Sequence, residues 1–249
     1  MTGTIDNTAV VILAAGKGTR MKSDRAKVLH ELNARPMIQY VVQTALTIAP
    51  ADQVHVVVGH QAGEVQQAVT RNFNTGFVVQ AEQLGTGHAV QCALPYLAAK
   101  IEHVVILCGD VPLLTPATVK GLLNRHVQSR NDITVLAVQL TDPTGYGRVL
   151  FDEGGRMAGI VEEADADEHQ KKINLINSGI YCVRKTILDD VLGQVKADNA
   201  QQEFYLTDII GIGDRRGLQL GVEIGENARE VMGINTRSEL ERAEQLLHS

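Results

Sequence analysis

The 249-residue chain contains no tryptophan, and aromatic residues make up only 4% of it. No apolar run approaches the roughly 20 residues that a membrane-spanning helix needs. Residues 1–8 carry no lysine or arginine and so do not read as a secretory signal. Only three cysteines occur, Cys92, Cys108 and Cys182, far apart and without Cys-x-x-Cys spacing. That excludes a disulfide framework and a cysteine zinc site, and it points to a reducing cytosol. Neither a Gly-x-Ser-x-Gly elbow nor a His-Glu-x-x-His helix is present, which removes two common hydrolase chemistries. The formal charge of −6 argues against a general nucleic-acid binder.

What is present is ordinary globular composition, 44% hydrophobic and 21% charged, which excludes intrinsic disorder. At about 150 residues per domain the length predicts one to two domains, enough to bury roughly 70–75% of the unfolded surface. Short β-branched runs at 9–14, 54–58, 77–79, 104–108 and 133–138 read as buried strands. Helical patterns lie between them at 36–49, 61–71, 86–98 and 115–130. Such alternation predicts βαβ units in a mostly parallel sheet covered on both faces. The runs at 9–14 and 104–108 are the most hydrophobic and belong in its centre. Beyond Leu140 the texture changes: Gly145, Gly147, Gly154, Gly155 and Gly159 punctuate short strands, and 162–168 is acidic. This predicts a smaller lobe built against the first sheet. The run 218–224 reads as one returning strand. Thr236 and Glu239 fit a capping box, so a last helix is expected from about Arg237. No internal repeat or flexible linker interrupts the chain.

The strongest local signal is Leu13-Ala-Ala-Gly16-Lys-Gly18-Thr-Arg20-Met, which follows directly on the first strand. It is not a P-loop, because Lys17 stands between two glycines, and Met21 breaks the third glycine of a dinucleotide fingerprint. What remains is a small-residue turn whose backbone amides can approach phosphates closely. Lys17, Arg20, Lys22, Arg25 and Lys27 fall in the same eleven residues, against the single acid Asp24. From charge alone a solvated basic loop is the simpler reading. The turn in front of it shifts the balance to phosphate binding, since arginine forks onto phosphate oxygens and lysine acts as a point charge. No aromatic side chain lies in 17–27 to stack a base of single-stranded nucleic acid.

This loop, with Lys27 in Ala-Lys-Val-Leu-His, resembles the signature of the sugar-phosphate nucleotidyltransferases. Four further segments narrow the resemblance: Gln80-Ala-Glu-Gln-Leu-Gly-Thr-Gly-His88, Gly109-Asp-Val-Pro-Leu113, Asp142-Pro-Thr-Gly-Tyr-Gly-Arg148 and Glu203-Phe-Tyr-Leu-Thr-Asp208. Together they are similar to the uridylyltransferase half of the bifunctional N-acetylglucosamine-1-phosphate uridylyltransferase/glucosamine-1-phosphate acetyltransferase family, from about residue 10 to 235. The resemblance implies a Rossmann-like nucleotidyltransferase fold, with a central mixed, mostly parallel sheet and a smaller sugar-binding lobe. It divides the chain into a nucleotidyltransferase domain over 1–235 and a C-terminal helix over 236–249. The implied reaction joins UTP and N-acetylglucosamine 1-phosphate into UDP-N-acetylglucosamine and pyrophosphate, with Mg2+ as cofactor, small molecules as the only partners, and a cytoplasmic setting.

Such a phosphoryl transfer asks the protein mainly for positioning and charge neutralisation. By resemblance the nucleotide lies on Leu13, Ala14, Ala15 and Gly16, with catalytic roles for Arg20 at the leaving pyrophosphate and Lys27 near the α-phosphate. Cys108, Gly109 and Asp110 end the strand at 104–108 beside that turn. Asp110 and Asn235 are the implied magnesium ligands, a sparse set that suits an ion which keeps its waters. Read on the residues alone, Asp110 is as easily a turn or capping residue. Gln80, Gly85 and Thr86 are the implied base contacts. A glutamine amide can flip, so Gln80 alone does not separate UTP from CTP, and Thr86 also reads as a helix N-cap. Gly147, Glu162 and Asn177 are the implied sugar contacts, although Glu162 among Glu163, Asp165 and Asp167 also reads as a solvated acid. Tyr205 and Thr207 are expected near the same region. His88 is expected to be a partly exposed residue at the start of a helix rather than a general base.

Three departures from the family pattern stand out. Ala26 occupies a position where many members carry proline, which predicts a looser loop before Lys27. Cys108 stands where a tyrosine is expected, which removes that side chain's contact. No hexapeptide repeat of the kind that forms a left-handed β-helix is present, so no acetyltransferase activity and at most a monomer or weak oligomer are expected. Two other readings stay open: transfer from another nucleotide to another sugar or alcohol phosphate, and a catalytically silent regulator that binds a nucleotide sugar.

Overall fold

The computed structural model describes residues 7–247. Strand β1 (Thr8–Ala14) leads through a loop into a small hairpin, β2 (Glu31–Leu32) and β3 (Arg35–Pro36), and then α1 (Met37–Ala45). There follow β4 (Val54–Val58), α2 (Ala62–Thr70), β5 (Gly76–Val79), α3 (Thr86–Ala93), β6 (His103–Cys108), α4 (Pro116–Gln128) and β7 (Ile133–Gln139). The remainder is β8 (Arg148–Phe151), β9 (Met157–Val161), β10 (Leu175–Arg184), α5 (Lys185–Leu192), α6 (Asp208–Arg215), β11 (Leu220–Ile224) and α7 (Arg237–Leu247). Among the described residues no helix is long and apolar enough to cross a membrane.

The main sheet runs β11-β7-β10-β6-β1-β4-β5, with β8 and β9 continuing from β10 at one side. Neighbours β6, β1, β4 and β5 are parallel, as are β7 and β11, while β10 is antiparallel to both β6 and β7. The sheet is therefore mixed and mostly parallel, with β6 and β1 side by side at its middle, as their hydrophobicity predicts.

Period-two alternation divides the core between the two faces. Val10, Ile12 and Ala14 of β1 join the apolar cluster containing Ile38 of α1, Val65 of α2 and Leu122 of α4. Ala9 and Val11 join the opposite cluster, with Val90 of α3, Leu188 of α5 and Ile209 of α6. Each such fully buried aliphatic contributes about 1.5–3 kcal/mol. The strand at the centre can therefore end in a polar loop without loss of its position.

Helix ends differ from the expected ranges for identifiable reasons. The expected 36–49 helix begins at Met37 and stops at Ala45, where Ile48 N donates to Ala45 O and the chain turns. The expected 86–98 helix stops at Ala93, because Pro95 has no amide to donate and the chain tightens into a 3-10 turn, Leu94–Tyr96. The capping box forms: Thr236 Oγ1 accepts from Glu239 N at 3.3 Å and Glu239 Oε2 accepts from Thr236 N at 2.8 Å. Helix α7 then buries Ala243 with Leu32, Met37 and Ile234. The sequence does not reveal five elements, the hairpin strands β2 and β3 together with β10, α5 and α6. Asn-Ser-Gly at 177–179 masks the apolar alternation of β10, and the register with β7 shifts at that point. The smaller lobe is thus threaded through the main sheet by β10, not set beside it.

Candidate functional site

Two adjoining cavities open where β1 and β6 end, at the carboxyl edge that open α/β sheets use for ligands. The first, of about 260 Å³, is lined by Leu13, Ala14, Ala15, Gly16, Lys27, Gln80, Gly85, Thr86, Cys108 and Asp110, and also by Val28, Gln83, Ala89 and Glu203. The second, of about 220 Å³, is lined by Gly147, Glu162, Asn177, Thr207 and Asn235, with Gly145, Tyr146, Ser178 and Tyr181 among its other walls. Leu13, Thr86, Cys108 and Asp110 face both cavities. Apart from Arg20 and Gly109, the candidate residues between Leu13 and Asn235 are thereby brought together, with Asp110 at the junction.

A larger polar cleft of about 710 Å³ lies elsewhere and shares no residue with these two. Its arginines Arg25, Arg35 and Arg71 are matched by Asp24, Glu31 and Glu64, so it offers no single-sign field to a charged ligand.

Gly109 lines neither cavity. Its amide donates to Leu13 O at 2.9 Å, and a Cβ there would lie 3.0 Å from that oxygen and 3.2 Å from Ala14 Cβ. A side chain would crowd both, so glycine lets the two strand ends approach closely and holds Asp110 against the turn. Gly18 has φ +67°, and a side chain on it would run into Lys27. Lys27 therefore lies across the glycine turn. Its ammonium donates to the Asp110 carboxylate and, at 2.9 Å, to Asn235 Oδ1. Arg20, which is exposed, donates to the same Asn235 oxygen at 2.9 Å. Asn235 N and Thr236 N both donate to Glu239 Oε2, at 2.7 and 2.8 Å, so the last helix aims Asn235 at the site. The sequence pattern shows Glu239 only as half of a capping box.

Among the described residues no group of three or more His, Cys, Asp and Glu side chains is placed to hold a metal. Asp110 and Asn235 nevertheless present a carboxylate and an amide oxygen that converge on one ammonium. Hard oxygen donors already sharing a cation suit a divalent ion that fills its other positions with water and phosphate.

Gln80 is buried, and its Nε2 donates to Gly85 O at 3.0 Å and faces His88 Nδ1 at 3.0 Å. A carbonyl only accepts, so the amide is oriented and cannot flip freely. Its Oε1 has no hydrogen bond among the described residues and is left as an acceptor. His88 thus helps orient Gln80, a contact the sequence did not reveal. Thr86 is not the N-cap expected of it: Gly85 holds that place, and Thr86 Oγ1 accepts from Leu206 N at 3.0 Å, tying α3 to the segment before α6.

Cys108 Sγ donates to Gly179 O at 3.3 Å, and Gly179 has φ +78°. Burial pushes the Cys108 thiol up to about 12, so it stays protonated and serves as a packed wall, not a nucleophile. The side chain thus keeps a contact at the site in place of the tyrosine's. Ala26 also departs from the looser loop expected of it: it is fully buried, and its amide donates to Gln61 Oε1 at 2.5 Å.

Glu162 is half-buried in the wall of the second cavity, and burial raises its pKa above the ordinary glutamate value. Gly147 sits against it, and a Cβ there would meet Glu162 Oε2 at 3.2 Å. Asn177 Oδ1 accepts from Gly179 N and Tyr181 OH, both at 3.0 Å, leaving its Nδ2 as a donor. Beneath this wall Arg148, 1% exposed, pairs with Glu163 at 2.7 Å and donates to the carbonyls of Tyr146 and Lys171. Glu163 Oε2 in turn accepts from Gly145 N at 3.2 Å. The Arg148 guanidinium holds Glu163 below the usual glutamate range. Tyr205 does not line either cavity.

A mixed α/β sheet with a glycine turn, a basic loop and two adjoining cavities at its carboxyl edge fits a nucleotidyl-transferring class, and the chain belongs to the MobA-like NTP transferase domain family, which it matches over residues 10–173. Within that class it is similar to bifunctional protein GlmU of Geotalea uraniireducens (strain Rf4), at 47% identity over 98% of this chain and 53% of that protein. It is likewise 44% identical to bifunctional protein GlmU of Desulfotalea psychrophila (strain LSv54 / DSM 12343), over 96% of this chain and 70% of that protein. GlmU of Pelobacter propionicus (strain DSM 2379 / NBRC 103807 / OttBd1) is 46% identical over 98% of the chain. The chain spans about half the length of most of these relatives. The resemblance read from the five segments is borne out.

Proposed function

We propose that the chain is a uridylyltransferase that couples UTP to N-acetylglucosamine 1-phosphate, releasing pyrophosphate and forming UDP-N-acetylglucosamine. The observation that carries this reading is the wall common to both cavities, which lets a nucleotide in one meet a sugar phosphate in the other at Asp110. A phosphate oxygen of the acceptor forms a bond to the α-phosphorus, the bond from that phosphorus to the bridging oxygen breaks, and its electron pair leaves on pyrophosphate. A sugar phosphate is already ionised at neutral pH, so no general base is required.

Lys27 is suited to the charge around the α-phosphate and Arg20 to the departing pyrophosphate, since both cations converge on Asn235 beside the glycine turn. Asp110 and Asn235 would hold a magnesium ion, which when bound supplies further neutralisation of phosphate charge. On the base, the oriented Gln80 offers an acceptor and so suits the N3–H of uracil, whereas N3 of cytosine is itself an acceptor. On the sugar, Glu162, Asn177 Nδ2 and the open backbone of Gly147 supply the polar contacts. The three free thiols support a reducing cytosolic setting.

The test is pyrophosphate release with Mg2+, each nucleotide triphosphate in turn and N-acetylglucosamine 1-phosphate, with EDTA as control. Release with UTP, absent with CTP and abolished by chelation, is expected. Release with another nucleotide alone would keep the chemistry and discard the substrate. No release with any would favour a binding protein without turnover.

A further inference from the structure

We propose that Gln61 is a positioning residue that holds Lys27 in place through the backbone of Ala26, a role that rests on the proposed place of Lys27 at the α-phosphate. Gln61 precedes α2 and has φ +52° and ψ +42°, a left-handed conformation that disfavours any residue with a Cβ. At a helix N-cap the preferred side chains bond back to their own helix from an extended backbone. Gln61 does neither: its side chain caps nothing in α2. Its Oε1 instead accepts from the amide of Ala26 at 2.5 Å across 35 positions of sequence. Glycine would relieve the backbone and a serine would cap the helix, yet neither carries an acceptor that far. A strained residue that gives up its local bond for a distant one marks a constraint imposed from elsewhere.

That constraint is the turn before Lys27. Ala26 is fully buried, so its amide needs a partner, and no backbone group supplies one. With it anchored, Ala26 O accepts from Leu29 N at 2.9 Å and Lys27 O from His30 N at 3.2 Å, which closes the short turn carrying Lys27. The neighbouring His60 N donates to Ala15 O at 3.1 Å. The segment after β4 therefore braces two parts of the first cavity at once, the glycine turn through His60 and the lysine loop through Gln61. Ala26 itself has φ −54°, within the range that proline adopts. A proline there would stiffen the same backbone covalently and would offer no amide to satisfy. Gln61 and proline at position 26 are thus alternative solutions to one problem.

A double-substitution cycle with two readouts tests this. Gln61→Ala keeps a Cβ at the strained position and removes the acceptor, whereas Gln61→Glu keeps an acceptor oxygen. In the free protein, hydrogen exchange at the Ala26 amide is expected to speed up at least about tenfold in Gln61→Ala and to stay near the parental rate in Gln61→Glu. In the pyrophosphate assay, Gln61→Ala is expected to lower kcat about tenfold with the KM for sugar phosphate unchanged, and Gln61→Glu to retain kcat. Ala26→Pro is expected to keep the parental kcat, and Gln61→Ala added to it to cost less than about twofold. An Ala26 amide indifferent to Gln61→Ala, or the same kcat loss in both backgrounds, would overturn the proposal. The exchange readout needs no turnover. A chain that releases no pyrophosphate at all therefore defeats the proposed reaction while the latch is still judged by exchange.

Discussion

The two cavities are built by different means. The first joins strand-end backbone to a few side chains: a glycine turn continuing β1, a glycine at 109 that lets β6 meet it, Lys27 laid over the turn, and the oriented Gln80. The second is made of buried polar side chains: Glu162 and Asn177 stand over a nearly inaccessible Arg148 paired with Glu163. The neighbouring carboxylates show the contrast most sharply. Burial raises the pKa of Glu162, while the Arg148 guanidinium lowers that of Glu163. One faces the cavity and the other secures its wall. Under the proposed function the difference follows from the ligands: a phosphate chain looks much the same in every nucleotide, so amides and point charges suffice for it, and Gln80 is left to read the base. A sugar must be told from others by its hydroxyls, and that takes oriented side chains whose desolvation has to be offset locally.

The comparison can be broken at its junction first. Asp110→Asn keeps the shape but removes the carboxylate charge that balances Lys27, and turnover is expected to fall by about 100-fold or more. Near-parental pyrophosphate release in Mg2+ would remove Asp110 from the chemistry.

The next largest effect belongs to the second wall alone. Glu163→Gln leaves the Arg148 charge buried without its partner. A fully buried pair loses about 3–5 kcal/mol in that situation. Glu163 is 33% exposed, which lowers the expected loss to about 2–3 kcal/mol by urea unfolding. The KM for sugar phosphate should rise about tenfold while that for UTP stays within twofold. Equal rises for both substrates would dissolve the division between the two walls.

A pair of glycine substitutions sharpens the same division more gently. Gly109→Ala presses on Leu13 O and Ala14, and Gly147→Ala on Ile160 and the Glu162 carboxylate. Each is expected to cost about 1–3 kcal/mol of stability. The first should raise the KM for UTP and the second that for sugar phosphate, each several-fold and without crossing over.

The smallest effect follows from Glu162. Its folded pKa lies above the unfolded value, so the folded state binds more protons, and ionisation of Glu162 opposes folding. That penalty is absent below the unfolded pKa and complete above the folded one. Glu162→Gln should therefore raise the melting temperature by about 2 °C at pH 7–8 and leave it unchanged near pH 4. Sugar-phosphate affinity should weaken in the same variant. A melting temperature that rises more in acid than at neutral pH would reverse the assignment.

The sequence revealed these two walls unequally. The glycine-turn part of the first was legible because it is contiguous: a strand, its small-residue turn and the following cations occupy 8–27, and close backbone approach favours glycine whatever the rest of the chain does. The central strands were equally plain, since burial on both faces admits only continuous apolar runs. The second wall comes from three strands and a turn in which no local pattern survives. Asn177-Ser178-Gly179 hid β10, because its polar residues serve the cavity and a register shift absorbs the misfit. Arg148 gave no sign of lying under the floor, since a charged residue in a short strand ordinarily points to water.

By itself, then, the order of residues determined the α/β alternation, the central pair of strands, the small-residue turn after the first of them and the capping box of the last helix. These depend on contacts within a few residues or on the period of one element. Only the tertiary structure decided that β10 runs between β6 and β7, that His88 and Gly85 orient Gln80, that Asn235 joins Asp110 around Lys27, and that Gln61 reaches Ala26. Each of those joins groups far apart along the chain. Their meeting is set by which faces must be buried together, and no local propensity records it.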